Sequence, residues 1–505
     1  MLEALGGGIA LFFDPTVLLL VALAVPIGLV MGVLPGLSGL SALALLLPFV
    51  YGLQPMSGLA FLLAAHAVVS TGGSLTAIVL GIPGAPANAA TVIDGAPLRE
   101  QGRHGEAIGA ALAASGLGGI IGVVALVALL PLLLPVVKLF GAPETFTLAL
   151  LGVICIAIIG REDPLRGLIA AALGMFLATF GWQRITGEPR FWLDFDYLLD
   201  GMRLVPIVLG LFAVPEVIGL SVEAARRNGE GRRESSRAEV SHGLLAPFRR
   251  PALALRSSLI GVLVGIVPGV GGETAPFLAY AAAKKRAAAR AATGGGDNEV
   301  FGRGAIAGIV APECSNNAKE GGALLTTLAL GLPGSAGMAV LLGGFLILGL
   351  EPGPDFLDAH MDIAIGLAIT LAIANLLAVI VMIACAPLML RVLAVPAHFL
   401  SPAIMVLVVI GAYAVANEPY DVLAVFLFGL LGWFMRAYGY SRPALLLGFI
   451  LAPLIETYLH ISLRSHGFSF VLQPGVLAIV AFLLAGLFWS RLWALLRRWS
   501  SRSGA

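Results

Sequence analysis

Between Glu313 and Glu320 the chain gathers Glu313, Asn316, Asn317, Lys319 and Glu320 within a run that is apolar on both sides. Glu313 and the two amides are three and four residues apart, so a helix presents them on one face. A carboxylate beside amides suits a bound cation, such as sodium near Glu313, or a hydrogen-bonded carboxylate ligand. No His or Cys stands at metal-ligand spacing, so a structural transition metal is not expected. Lys319 and Glu320 are expected at the water boundary, and Cys314 as a small packing residue. Cys155, Cys314 and Cys385 lie far apart and offer no disulfide framework. No P-loop, zincin His-Glu pair or Ser-His-Asp arrangement occurs in usable context, so the reading is a non-enzyme that needs no cofactor.

The elements that must position these groups are helices interrupted at Pro35-Gly36, Pro83-Gly84, Pro268-Gly269 and Pro333-Gly334. Pro removes a donor and clashes with the preceding turn, and Gly permits the bend. At membrane depth such backbone is tolerated where it lines a cavity or is buried in protein. The freed groups then become ligands, half-helix N-termini for anions and carbonyls for cations. Residues beside the breaks join the candidates: Ser38, Gly39, Gly72, Gly73, Ser74, Asn88, Glu273 and Ser335. Glu273 is costly in a hairpin without a partner. His66 is expected as a buried polar residue bonded to backbone. Asp94, followed by Gly95, reads equally as a turn former and as a functional residue.

The breaks recur in register. Gly28 to Gly39 matches Gly261 to Gly272 at a constant offset, and Gly72 to Gly84 matches Gly322 to Gly334 in the same order. A polar insertion around Lys284 to Val300 accounts for the change in offset between the two matches. The halves therefore share one ancestral unit.

A hydrophobic content of 59%, a charged content of 12% and a mean hydropathy of +0.98 make the chain a polytopic membrane protein. The formal net charge of +1 suggests no nucleic-acid partner. The N-terminus has no Lys or Arg before the apolar run from Thr16 to Leu34, so that run is read as part of the mature protein. The segment Ser221 to Arg256 carries Arg226, Arg227, Arg232, Arg233, Arg237, Arg249, Arg250 and Arg256, which places it in the cytoplasm. Lys284, Lys285, Arg286 and Arg290 put the next loop on the same side, leaving too few residues between for two spans. A re-entrant hairpin satisfies both loops. The uncharged Tyr51 to Ser57 contrasts with its basic counterpart, and the acidic Glu351 to Asp362 contrasts with Arg99 and Arg103. The bias swaps sides, as inverted repeats require. Arg184 and Arg190, expected outside, run against the rule.

The expected fold is an all-α polytopic membrane protein with inverted-topology repeats, two Pro-Gly-broken re-entrant hairpins and about 11–14 membrane segments. Residues 1–15 form an N-terminal segment, 16–137 repeat one, 138–220 connecting membrane helices and 221–256 a cytoplasmic Arg-rich loop. Residues 257–390 form repeat two, 391–490 C-terminal membrane helices and 491–505 a cytoplasmic tail.

From Gly28 to Pro354 the chain resembles the large membrane subunit of the tripartite tricarboxylate transporter family, the TctA-type permeases. The resemblance rests on Gly32 to Leu37, Gly81 to Gly84, Asp94-Gly95, Ala311 to Ala318, Gly331 to Ser335 and Gly349 to Pro354. It implies uptake across the bacterial inner membrane of carboxylates such as citrate, ion-coupled and without ATP. It also implies a small membrane subunit and a periplasmic solute-binding protein as partners, besides membrane lipid. The chain departs from the family pattern at Glu273, where small or hydroxyl residues are usual, and at Lys319-Glu320, where small residues are frequent. A trianion moving into an inside-negative cell costs about 7 kcal/mol per 100 mV, so sodium or protons must accompany it. The rival readings are an ion channel and a secondary transporter that works without a binding protein.

Overall fold

The computed structural model describes residues 2–34, 37–159, 163–183, 185–224, 237–267, 272–292, 299–385, 388–389, 391 and 397–481. Proline and glycine set the helix ends. After α1 (Leu2–Phe12), α2 (Pro15–Val33) opens with Pro at its first position and Asp14 accepting the Thr16 N–H at 2.8 Å. α3 (Gly39–Leu46) begins on Ser38, whose hydroxyl accepts the Ser41 N–H at 3.3 Å. α4 (Pro55–Leu80) is closed by Gly81 in the left-handed region, φ +69°. The chain passes through Pro83-Gly84 into α5 (Ala89–Glu100), and α6 (His104–Val137) completes the first half.

α7 (Ala142–Ile159) and α8 (Pro164–Leu177) lead to a short ribbon pairing Gly181–Trp182 with Pro189–Arg190. α9 (Leu204–Val208) and α10 (Val214–Ala224) are joined by one π-helical stretch, Leu209–Ala213. α11 (Arg237–Leu244) and α12 (Ala246–Arg249) precede the second half. There α13 (Pro251–Ile266), α14 (Ala275–Ala292) and α15 (Ala307–Leu330) follow, and Gly331 at φ +66° closes α15 as Gly81 closes α4. α16 (Ala336–Ile347) begins on Ser335, which accepts the Met338 N–H at 3.2 Å. α17 (Pro354–Ala359), α18 (Met361–Ala384), α19 (Ala397–Ala416), α20 (Pro419–Ala437) and α21 (Arg442–His466) finish the described fold. Among the described residues seven helices are long and apolar enough to cross a membrane, and seven shorter apolar helices accompany them. The protein is an all-α polytopic membrane protein.

The matched sequence stretches make matched contacts. A Cβ on Gly28 or Gly32 of α2 would strike the carbonyls of Ala65 and Val69 in α4, while Gly72 of α4 meets the Leu29 carbonyl. At the corresponding positions Gly261 and Gly265 of α13 meet the carbonyls of Ser315 and Lys319, and Gly322 of α15 meets that of Val262. Gly84 rests on the Gly32 carbonyl and Gly73 Cα, and Gly334 on the Gly265 carbonyl and Ala323 Cα. Small residues at these points let helix backbones touch, which drives association where lipid is as apolar as leucine.

α15 is the centre of the bundle, with every residue from Gly308 to Ala329 buried. α6 of the first half lies along it, Gly118 on the backbone of Cys314 and Gly122 on that of Ala318. Lys319 and Glu320 are therefore not at a water boundary: they are 7% and 5% exposed. Cys314 is a buried packing residue, as expected.

Other expectations change as well. Asp94 lies inside α5 rather than in a turn. The described part of the Arg-rich segment is mostly helical, with breaks at Leu245 and Arg250, and α11 docks on α6 through Gly109 against the Val240 carbonyl and Gly243 against the Glu106 carbonyl. Arg226, Arg227, Arg232 and Arg233 lie outside the described residues, as do Arg184 and the tail 491–505. Arg190 is neutralised by Glu456 through two bonds of 2.8 and 3.1 Å, so it does not act as a free loop cation.

Candidate functional site

The helix starts that follow the Pro-Gly breaks line one pocket of about 300 Å³. Ser38-Gly39 opens α3, Ala85 to Ala87 leads to α5, Gly272-Glu273 precedes α14 and Ser335 to Gly337 opens α16. Each start turns the positive end of a helix dipole towards the pocket, with Ser38, Ser335 and Asn88 each capping one N–H there, and the lining holds Glu216, Glu273 and Glu320 beside Lys319 and Arg442.

Charged side chains complete the wall. Lys319 Nζ is 3.5 Å from Glu320 Oε1, and Glu320 Oε2 is 3.5 Å from His66 Nε2. His66 makes no hydrogen bond among the described residues, which corrects the expectation of a backbone partner. Its ring is clamped between Gly39 and Gly337, where a Cβ would collide with it. Arg442, at the start of α21, reaches Glu216 at 3.3 Å and the Leu211 carbonyl at 3.1 Å, and lies 5.6 Å over the Phe212 ring. Glu273 is exposed to the pocket.

A polar seam runs from this pocket between α4, α5, α6 and α15. Glu313, 0% exposed, accepts from the Thr91 hydroxyl at Oε1 and from the Ser115 hydroxyl at Oε2, 2.9 Å. No Lys, Arg or His pairs with it among the described residues, and Ser74 and Asn88 lie alongside. Asn88 Nδ2 donates to the Ser70 carbonyl at 2.9 Å and to Ser74 Oγ at 3.1 Å, while its Oδ1 accepts the Ala85 N–H at 3.2 Å. Asn317 Nδ2 donates to Thr71 Oγ1 at 3.0 Å and to Asn375 Oδ1 at 2.7 Å, and Ser70 Oγ donates to Asn317 Oδ1 at 3.4 Å. Ser70 also lines the pocket, so one residue joins pocket and seam.

The residues read from sequence thus divide. Ser38, Gly39, Glu273 and Ser335 line the pocket, and Ser74, Asn88, Glu313 and Asn317 build the seam. Asn316 is buried with neither amide atom bonded among the described residues. Gly72, Gly73, Gly84 and Gly334 serve backbone packing, and Pro83 and Pro333 stand in the connections after the left-handed glycines. Pro35, Gly36, Pro268 and Gly269 lie outside the described residues. Asp94 is a staple: its Oδ1 accepts the N–H groups of Gly302, Gly304 and Ala305 at 2.8–2.9 Å, and its Oδ2 accepts the Tyr280 hydroxyl at 2.9 Å.

Sequence reasoning missed Thr91, Ser115, Asn375 and Arg442, and placed His66, Lys319 and Glu320 elsewhere. A signal was present for two of the last three: the repeat offset pairs His66 with Asn316 and Glu320 with Ser70, whereas Lys319 pairs with the apolar Val69.

The chain matches the model of the family described as tripartite tricarboxylate transporter TctA over residues 18–447. It is 32% identical over 466 residues to an uncharacterized 52.8 kDa protein in the TAR-I ttuC' 3' region of Agrobacterium vitis, covering 91% of this chain and 90% of that protein. It is 35% identical over 217 residues to an uncharacterized protein in the TAR-II ttuC' 3' region of the same organism, covering 42% of this chain and 86% of that protein. No solved structure matches it significantly.

Proposed function

Since the chain belongs to the tripartite tricarboxylate transporter TctA family, we propose that it is the permease subunit of an ion-coupled secondary transporter importing a carboxylate. In this reading a periplasmic binding protein delivers the substrate, a small membrane subunit completes the complex, and the permease sits in the bacterial inner membrane. The observation that carries the proposal is the pocket in which helix starts from both halves meet beside Lys319. Backbone N–H groups and an ammonium bind carboxylates well, and a pocket of about 300 Å³ suits a small organic acid. The matched contacts of α2 on α4 and of α13 on α15 support two copies of one unit, which we read as inverted across the membrane with the breaks as re-entrant tips.

Charge balance gives the seam its role. A carboxylate as deeply buried as Glu313, held by hydroxyls and without a basic partner among the described residues, needs a proton or a cation. Sodium or a proton taken up there would enter with the substrate, and the bonds that Ser70 accepts from Asn88 and donates to Asn317 connect that event to the pocket wall.

The test is direct binding. A dicarboxylate or tricarboxylate should raise the melting temperature of the purified protein, and its neutral amide should not. Lys319→Gln should weaken the carboxylate effect about tenfold or more, the worth of one charge-assisted hydrogen bond, and stop uptake in cells making the whole transporter. Equal stabilisation by acid and amide, or undiminished uptake by the variant, would refute the assignment.

A further inference from the structure

A second cavity shares no lining residue with the pocket above. It is a groove of about 590 Å³ between α13 and α14, at the end where α13 begins and α14 finishes. Arg249, Arg250 and Arg256 line one side and Arg286 and Arg290 the other. Among the described lining residues five arginines stand with one acid, Glu299, which binds Arg250 at 2.6 Å.

Below the arginines the wall turns apolar. Leu253, Leu259, Ile260 and Leu263 continue down α13, and Leu259 and Leu263 are 45% and 64% exposed. From Arg256 to Leu263 a helix descends about 10 Å. Cations therefore stand at one level and an open apolar track about 10 Å deeper on the same helix. A soluble anion would use the arginines and leave the leucines wet. A molecule with an anionic head and hydrocarbon tails uses both.

We propose that this groove binds an anionic phospholipid, its phosphate among Arg249, Arg256 and Arg286 and an acyl chain along Leu259 and Leu263. Basic pockets between membrane helices suit such head groups, and each basic residue near a head group contributes about 1 kcal/mol. The lipid would brace the α13–α14 hairpin at its mouth, on the helices that lead to Gly272 and Glu273 of the pocket.

The experiment uses the full-length protein, stripped of lipid in neutral detergent and titrated with phosphatidylglycerol, phosphatidylcholine or glycerol phosphate, with native mass spectrometry as the readout. Phosphatidylglycerol should bind at least about tenfold more tightly than phosphatidylcholine, and glycerol phosphate at equal concentration should not displace it. Arg256→Gln with Arg286→Gln should lower phosphatidylglycerol affinity about thirtyfold, the equivalent of two such contacts. Leu259→Ser should weaken the phospholipid and leave glycerol phosphate unaffected. Equal affinity for the two lipids, or an unchanged double variant, would overturn the proposal. Displacement by glycerol phosphate would make the groove a soluble-anion site and overturn it equally. If the double variant does not fold, the preference between lipids and the displacement arm decide the question on the native chain.

Discussion

Glu313→Gln separates the coupling role we propose for the seam from its structural role. The substitution keeps volume, keeps an acceptor for Thr91 and offers Ser115 an amide towards which its hydroxyl can turn. Two hydrogen bonds lose their charge assistance, about 1 kcal/mol each, while removal of a buried charge returns a desolvation term of comparable size. The fold should therefore hold, with a melting temperature within a few degrees of the parent, about what 1 kcal/mol moves. Glu313→Ala provides the contrast: it leaves Thr91 and Ser115 without their acceptor and opens a cavity, at a cost of about 3–5 kcal/mol. The transport effect of the Gln variant is much larger. Each positive charge that enters with substrate contributes about 2.3 kcal/mol per 100 mV, roughly a 50-fold gain in accumulation. In vesicles holding the complete transporter at a fixed inside-negative potential, the ratio of internal to external substrate should fall by about that factor for each coupling ion lost. Substrate binding without a potential should survive, because Glu313 does not line the pocket. A variant that keeps the parental ratio and its cation dependence would refute the coupling role of Glu313.

Two further outcomes follow from packing. Asp94→Ala should cost about 3–5 kcal/mol, because three backbone N–H groups and the Tyr280 hydroxyl lose a buried acceptor; thermal unfolding in detergent measures it. Gly84→Ala and Gly334→Ala should each destabilise by at least about 2 kcal/mol and by similar amounts, since each Cβ would meet the carbonyl of a corresponding glycine, Gly32 or Gly265. One well-tolerated member of the pair would show that the two breaks are not equivalent.

Much of the fold was legible because helix breaks and apolar runs are local signals. Gly81 and Gly331 close helices as left-handed caps, and the apolar run from Thr16 to Leu34 is α2 (Pro15–Val33). The site was legible at its breaks and illegible between them. Thr91, Ser115 and Asn375 are ordinary residues of apolar helices until Glu313 and Asn317, hundreds or tens of residues away in sequence, need their hydroxyl and amide groups. Lys319 and Glu320 were misplaced because their charge suggested water, whereas they pair with each other at 3.5 Å within protein, beside His66. Asp94 beside Gly95 has the composition of a turn, yet its acceptors are used by a loop from the other half of the chain. Glu273, Lys319 and Glu320, where the chain departs from the pattern of the family it resembles, all line the pocket that we propose takes the substrate.

The burial of α15 also bears on how the protein is made. At 24 residues it is as long as a membrane span, yet it is absent from the helices apolar enough to cross by composition. Glu313, Lys319 and Glu320 each oppose insertion at the centre of a bilayer by about 3 kcal/mol. α15 is therefore the helix least able to leave the translocon for lipid unaided. α6 and α13 are synthesised before it and present the glycines on which its backbone rests. The earlier helices offer its receiving surface, and a fragment lacking α6 should insert α15 less completely than the full chain.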